Sequence, residues 1–296
     1  MISSAQFSVL SCPGGDTPND DRAGGVCEPD YGHAWVIDGA TGVTPNAYIP
    51  GAESDAAWLA ARLDDYFTDL PKSAAPVRVP VRRILGRVRD DYLLAIAGAD
   101  VPDFAVPSAA ALFCGWERCA HKVILRITEL GDCVALLRDR HGQVHIVGDL
   151  TPGGGDAEAL QQFDAFNGAQ SEASKKALWD FLRERRRLMN RPGGYWVFSI
   201  SPETASYLRQ HTFVLQPPVE MLLMTDGFSR LIDHFSAYTA DQLIAAADQR
   251  GLKHLYRELR SLEAADASRE KAPRVKVEDD ASAVFIHIPS THPDWV

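Results

Sequence analysis

Acidic residues stand at the ends of apolar runs in this chain. Trp35-Val36-Ile37 leads straight into Asp38-Gly39, and Leu222-Leu223-Met224-Thr225 leads into Asp226-Gly227. Ile127-Thr128-Glu129-Leu130 is followed by Gly131-Asp132, and Glu278-Asp279-Asp280 opens the last apolar run. Asn19-Asp20-Asp21 comes shortly after the first one. A sheet can bring the ends of distant strands together, and carboxylates gathered in that way repel unless cations lie between them. Oxygen donors without His or Cys suit hard ions such as Mg²⁺ or Mn²⁺, which keep several waters and bind phosphate readily. Taken singly, each Asp-Gly has a plainer explanation, because the pair after a strand is an ordinary tight-turn signature. Their recurrence in one chain tips the balance toward a metal centre.

The elements that must carry these residues read as two groups of short strands with helices between and after them. Strands are expected at residues 7–10, 34–37, 109–113, 123–130, 134–137, 144–147, 195–200, 213–215, 221–224 and 283–288. Helical spacing marks residues 54 to about 70, through Trp58, Leu59, Leu63 and Phe67, and residues 81–97, through Ile84, Leu85, Val88 and Tyr92. These two helices follow each other with no strand between, which argues against a doubly wound layout and for α+β. Another helix is expected at 172–189, and a helical pair at 240–249 and 252–264. Pro152-Gly153-Gly154-Gly155 and Arg191-Pro192-Gly193-Gly194 bracket an inserted, flap-like segment at about 151–194. Its basic run, Arg183-Glu184-Arg185-Arg186-Arg187, is expected to be a solvated helix face, and residues 269–278 an exposed charged loop.

With 296 residues, 46% of them hydrophobic and 24% charged, the chain can bury a sizeable core, and one domain over 1–296 is expected. Its net charge of -10 disfavours nucleic acid as a partner. Five cysteines, odd in number and without CxxC spacing, suggest neither a disulfide framework nor a zinc site and fit a reducing cytoplasm. The first ten residues lack a basic start before an apolar stretch, and no apolar run approaches the roughly 20 residues that span a bilayer, so a soluble cytoplasmic protein is expected.

In this order, Asn19–Asp21, Asp38-Gly39, the small-residue strand at 108–112, Gly131-Asp132, Asp226-Gly227 and Asp279-Asp280 resemble the motif series of the metal-dependent protein Ser/Thr phosphatases of the 2C type, over nearly the whole chain. The resemblance implies a four-layer α-β-β-α sandwich with two central, mostly antiparallel sheets and a two-metal centre at one end. Asp38 would bridge two Mg²⁺ or Mn²⁺ ions, the Gly39 carbonyl would ligate one, and Asp226 and Asp279 would hold the other. Asp21 would bind a metal-bound water, Asp20 stands where the family usually has Glu, and Asp132 matches a third, weaker metal position. The implied reaction is direct attack of activated water on a phosphoserine or phosphothreonine ester of a protein, without a phosphoenzyme.

The chain departs from the family at several points. Asp16 lies where an Arg often clamps the substrate phosphate, which leaves Arg22 and the 183–187 cluster as candidate replacements. Ala40-Thr41-Gly42 stands where many eukaryotic members place a His. Arg230 lies where many relatives carry a further acid, which weakens the third metal position. The family's flap signature is replaced by Tyr195-Trp196-Val197-Phe198-Ser199-Ile200-Ser201-Pro202, so substrate choice is not inherited. Asp280 stands where Asn is common, so exchange for Asn is expected to be mild.

Other hydrolase signatures fail. Cys133 and Arg138 are one residue too close for a cysteine-phosphatase loop, and neither G-x-S-x-G nor a Walker lysine occurs. Ala40 removes the second Asp that an aspartyl-phosphate hydrolase needs. His33 and His234 lie near the motifs but are not assigned as ligands. Two rival readings stand beside the protein phosphatase: a pseudophosphatase acting as a binding module, and a phosphatase of small metabolites.

Overall fold

A computed structural model describes residues 5–71, 79–151 and 172–290. The expected bracket at Pro152-Gly153-Gly154-Gly155 lies outside the described residues.

One sheet is built from β1 (Gln6–Cys12), β11 (Ala281–Ile288), β10 (Val219–Met224), β6 (Val134–Arg138) and β7 (Val144–Val147), in that order. The other runs β2 (Arg22–Cys27), β3 (Tyr31–Gly39), β4 (Ser108–Cys119), β5 (Lys122–Leu130) and β9 (Arg209–Leu215), with the two-residue β8 (Phe198–Ser199) also on β4. Every strand pair in both sheets is antiparallel.

The alternation in β5 shows why the sheets stack. Val123, Leu125 and Ile127 are buried, and they join Val36, Leu112 and Cys114 of one sheet with Leu137, Met221 and Ile286 of the other in a single core between them. On the outer face of the second sheet lie α1 (Asp55–Thr68) and α2 (Val81–Ala95), which bury Leu59, Leu63, Leu85 and Val88 against Trp35 and Phe113. Ser54 caps α1 by accepting the Ala57 N–H at 2.8 Å. The first sheet is covered by α4 (Asp226–Asp233), α5 (Ala240–Arg250) and α6 (Leu252–Ala265) through Phe228, Leu243, Leu255 and Leu259. Between β7 and β8 in the chain, α3 is the helix Glu172–Arg186. The layers are therefore α-β-β-α, as the motif series implies.

The strand expected at 195–200 shrinks to Phe198–Ser199, and two elements were not expected at all. β2 was not expected because Gly24 and Gly25 interrupt its apolar pattern. They are spatial requirements: a Cβ on Gly24 would lie 2.6 Å from the Trp35 ring, and one on Gly25 would lie 2.6 Å from the His33 carbonyl. The second is α4, which begins at Asp226 itself, where the sequence suggests only a strand end.

Candidate metal centre

Antiparallel register brings the acidic strand ends to one edge of the sandwich. Arg22 pairs with Ile37, so Asp20 and Asp21 enter β2 beside the exit of β3 at Asp38-Gly39. Asp38 in turn pairs with Ala110, and Ala111 with Leu130, which leads to Gly131-Asp132. In the facing sheet Met224 pairs with Ala283, so Asp226 and Asp279-Asp280 leave and enter neighbouring strands at the same end. The antiparallel order thus brings the segments carrying Asp20, Asp21, Asp38, Asp132, Asp226, Asp279 and Asp280 to the same end.

The glycines of the two Asp-Gly steps are not turn glycines. Neither Gly39 nor Gly227 is among the residues of positive φ. Instead each lies against the backbone of another acidic segment: a Cβ on Gly39 would stand 2.3 Å from the Asp20 carbonyl oxygen, and one on Gly227 would stand 1.9 Å from that of Asp280. Close approach of two backbone segments, and not a hairpin, is what these positions demand. Gly131 differs, with φ at +103° in the turn before β6.

Hydrogen bonds fix the surrounding acids. Thr225 donates from Oγ1 to Asp21 Oδ2 at 2.8 Å and accepts the Ser282 N–H at 3.0 Å, tying the two sheets together at the centre. Asp20 is buried, and its carboxylate accepts from Thr41 at 3.3 Å and from the Ser54 hydroxyl at the start of α1. Asp280 accepts the Gly14 N–H and the Asp20 N–H, both at 2.7 Å. An amide offers only one accepting atom for two donors, so Asp280→Asn, read from the sequence as a mild exchange, would leave one of these N–H groups without its acceptor.

Like charge dominates the middle of the cluster. Burial, followed by the carboxylates of Asp226, Asp21 and Asp132, pushes Asp38 well above the usual aspartate range. Asp226 is pushed up to about 7 by burial, Asp279 and Asp132. Burial likewise holds Asp21 well above the ordinary value against the Thr225 hydrogen bond, with Asp280, Asp226 and Asp279 adding to it. Asp20 is raised by burial as well. Asp132 is exposed and lies at the rim of the cluster.

Asp38, Asp226 and Asp21 therefore offer the donor chemistry of a hard divalent cation: they are oxygen donors at one end of the sandwich whose charges are opposed chiefly by burial and by one another, although their ligand atoms do not all come within 4.8 Å. Asp279 is different. Its Oδ2 accepts from Arg230 Nη2 at 2.8 Å and its Oδ1 from Lys276 Nζ at 2.6 Å. Burial works to raise Asp279, yet Lys276 and Arg230 hold it below the ordinary value.

A cleft of about 720 Å³ opens beside the cluster, lined among others by Asp20, Thr41, Phe104, Trp179, Arg186 and Lys276. Arg22 does not line it; its Nη1 donates to the carbonyls of Asn19 at 2.9 Å and Asp21 at 2.6 Å, and its charge acts on Asp64 of α1. The basic run on α3 is not merely solvated either. Arg186 Nη2 donates to the carbonyls of Ala40 and Thr41, each at 2.8 Å, and Arg183 Nε donates to Val43 at 3.1 Å. The helix is thereby tied to the loop that follows Asp38-Gly39. Sequence reading missed Lys276, Thr41, Ser54 and Thr225, none of which carries a local signal.

Among the described residues, the one trio of His, Cys, Asp or Glu whose ligand atoms all fall within 4.8 Å of one another is Glu220, Asp248 and His287. It sits at the opposite end of β10 and β11, and Glu220 is engaged by Arg138. All five cysteines are free. Among the described residues no helix is long and apolar enough to cross a membrane.

The architecture is the fold seen in solved 2C-type Ser/Thr phosphatases. PppA, a key regulatory component of T6SS in Pseudomonas aeruginosa, superposes with a TM-score of 0.54 at 14% identity, over 96% of this chain and 98% of that one. The Mycobacterium tuberculosis serine/threonine phosphatase PstP/Ppp gives 0.51 at 12% identity, over 97% and 100%. RsbX, solved in complex with magnesium, gives 0.50 at 10% identity, over 96% and 95%. No protein-family profile matches the sequence, and no curated protein matches it. At such identities the likeness establishes the fold alone.

Proposed function

We propose that this protein is a metal-dependent phosphatase that hydrolyses phosphoserine or phosphothreonine esters of proteins with Mg²⁺ or Mn²⁺. The observation that carries the reading is the meeting of Asp38, Asp226 and Asp21 at one sheet end, built by close-approach glycines and not by turns. A divalent cation held by Asp38, the Gly39 carbonyl and Asp226 would lower the pKa of coordinated water and neutralise phosphoryl oxygens.

The chain's own groups supply the rest. Asp21, anchored by Thr225, is fixed to accept a hydrogen bond from water at the cluster. Asp20 holds the start of α1 and Thr41 in place, and Asp132 stands at the rim, where it adds negative charge. Arg186 and Lys276 bring positive charge to a cleft that must admit a phosphate, so these two take the place proposed from the sequence for Arg22. Phe104 and Trp179 give the same cleft an apolar wall suited to a peptide segment. A non-catalytic binding module is favoured by one observation, the neutralisation of Asp279 by Arg230 and Lys276.

Turnover of p-nitrophenyl phosphate with Mn²⁺, Mg²⁺ or EDTA separates these readings, and phosphopeptide against phosphometabolite panels then assigns the substrate class. The expected result is cation-dependent turnover that EDTA abolishes while circular dichroism is preserved. A cation at 100 times its Kd adds about 2.7 kcal/mol by mass action, which corresponds to a rise of roughly 5–10 °C in Tm. Turnover that survives exhaustive chelation would remove the metal reading.

Arg186→Gln tests the tie between α3 and the loop after Gly39. Losing charged hydrogen bonds worth about 1.5–3 kcal/mol lowers kcat/KM for p-nitrophenyl phosphate by tenfold or more, on the order set by that energy. Lys176→Gln, on the exposed side of the same helix, leaves it unchanged. Equal rates for both variants would return the basic run to a solvated face.

A further inference from the structure

If the protein is the metal-dependent phosphatase proposed above, Asp279 is the acid whose partners set it apart. The motif series implies two cations, with Asp279 helping Asp226 to hold one of them. In the structure both oxygens of Asp279 are already bound to fixed cations. Arg230 Nη2 reaches Oδ2 at 2.8 Å, and Lys276 Nζ reaches Oδ1 at 2.6 Å. The Asp280 N–H adds a bond to Oδ1 at 3.1 Å.

Arg230 is not a side chain that can step aside. It is only 2% exposed, and its Nη1 donates at 3.0 Å to Glu263, which is fully buried. Glu263 also pairs with Arg260, whose Nη2 donates to the Asp279 carbonyl at 2.5 Å. Withdrawing Arg230 would strand a buried carboxylate, so this pairing is part of the core. Lys276 is held from two sides, because Nζ also donates to Thr41 Oγ1 at 2.8 Å, in the loop just after Asp38-Gly39. Its ammonium thus spans the gap between the opening of β11 and the exit of β3, on the wall of the cleft. A second divalent ion on Asp279 would have to displace one of these groups and then sit beside the other against like charge.

We propose that the centre takes one divalent cation, on the Asp38, Asp226 and Asp21 side, and that Lys276 is a built-in cation in place of the second. Asp38, Asp226 and Asp21 keep the need for an ion; Asp279 has its positive partners in the chain. The lysine also presents a permanent charge to the cleft, where a bound phosphate would meet it.

Manganese stoichiometry tests this without reference to turnover. Mn²⁺ is titrated into wild type, Lys276→Gln, Lys276→Met and Lys276→Arg by calorimetry, with electron paramagnetic resonance on each end point and circular dichroism as a check on folding. Wild type is expected to bind one ion, with the six-line spectrum of isolated Mn²⁺. Both neutral variants are expected to gain a second ion and a spectrum broadened by exchange between the two, while the charge-keeping Lys276→Arg stays at one. Lys276 is 41% exposed, and two neutral replacements of different shape guard against a local fault in either. Two ions in wild type would overturn this inference and leave the metal centre standing. One ion in wild type and in both neutral variants would overturn the role given to Lys276. No ion in wild type would overturn the inference and the metal centre together.

Discussion

Asp38→Asn lowers kcat for p-nitrophenyl phosphate by roughly 10²- to 10³-fold, the scale on which loss of one electrostatic stabiliser of a transition state operates. Asp38 is the acid on which the cluster converges: burial raises it first, and the charges of Asp226, Asp21 and Asp132 raise it further. An amide in its place removes one negative charge where a cation would be held. The same exchange relieves repulsion among the remaining carboxylates, so the metal-free protein keeps or gains thermal stability. The two effects have opposite signs, which separates a site residue from a structural one. Asp226→Asn follows the same pattern, with partial rescue at high Mn²⁺ because Asp38 and Asp21 remain. Kinetics with a metal titration, beside melting curves in EDTA, check both signs. If both variants keep wild-type turnover and metal affinity while folded, the centre is not here.

The strand-end positions of the candidate acids are legible in the sequence, for a definite reason. Strand ends are marked locally, by an apolar run meeting an acid, and antiparallel pairing then forces alternate ends to one edge. Asp21, Asp38, Asp132, Asp226 and Asp279 could be named in that way. What neutralises each acid could not be, because it depends on partners far apart in the chain. Lys276 lies in a segment that reads as an exposed charged loop, yet it reaches Thr41, 235 positions away. Arg230 was visible only as a missing acid; that it bridges Asp279 and Glu263 needs the packing of α6 against the sheet. Arg186 was hidden by its neighbours, since a run of charges on a helix looks solvated whichever member turns inward. β2 was hidden by glycines whose purpose is set by the Trp35 ring and the His33 backbone.

Gly227, like Gly24 and Gly25, is required by a neighbour and not by its own φ. Gly227→Ala places a methyl group 1.9 Å from the Asp280 carbonyl oxygen, and 3.0 Å from its carbon. The obstacle is backbone, which cannot rotate away as a flexible side chain can. Asp280 is moreover pinned by the Gly14 and Asp20 N–H groups, and Gly227 lies in the first turn of α4, whose Phe228 and Leu231 are fully buried. Strain of this kind costs about 1–3 kcal/mol, and relief requires α4 and the opening of β11 to move apart. The expected result is a Tm lowered by roughly 2–12 °C, together with loss of metal affinity, since Asp226 and Asp279 ride on the two segments being separated. Gly42→Ala is the control: nothing lies within 4 Å of its added Cβ and its φ is not positive, so Tm and metal binding stay at wild-type values. Were Gly227→Ala to melt and bind Mn²⁺ as the wild type does, the close approach that builds this end of the sandwich would be refuted.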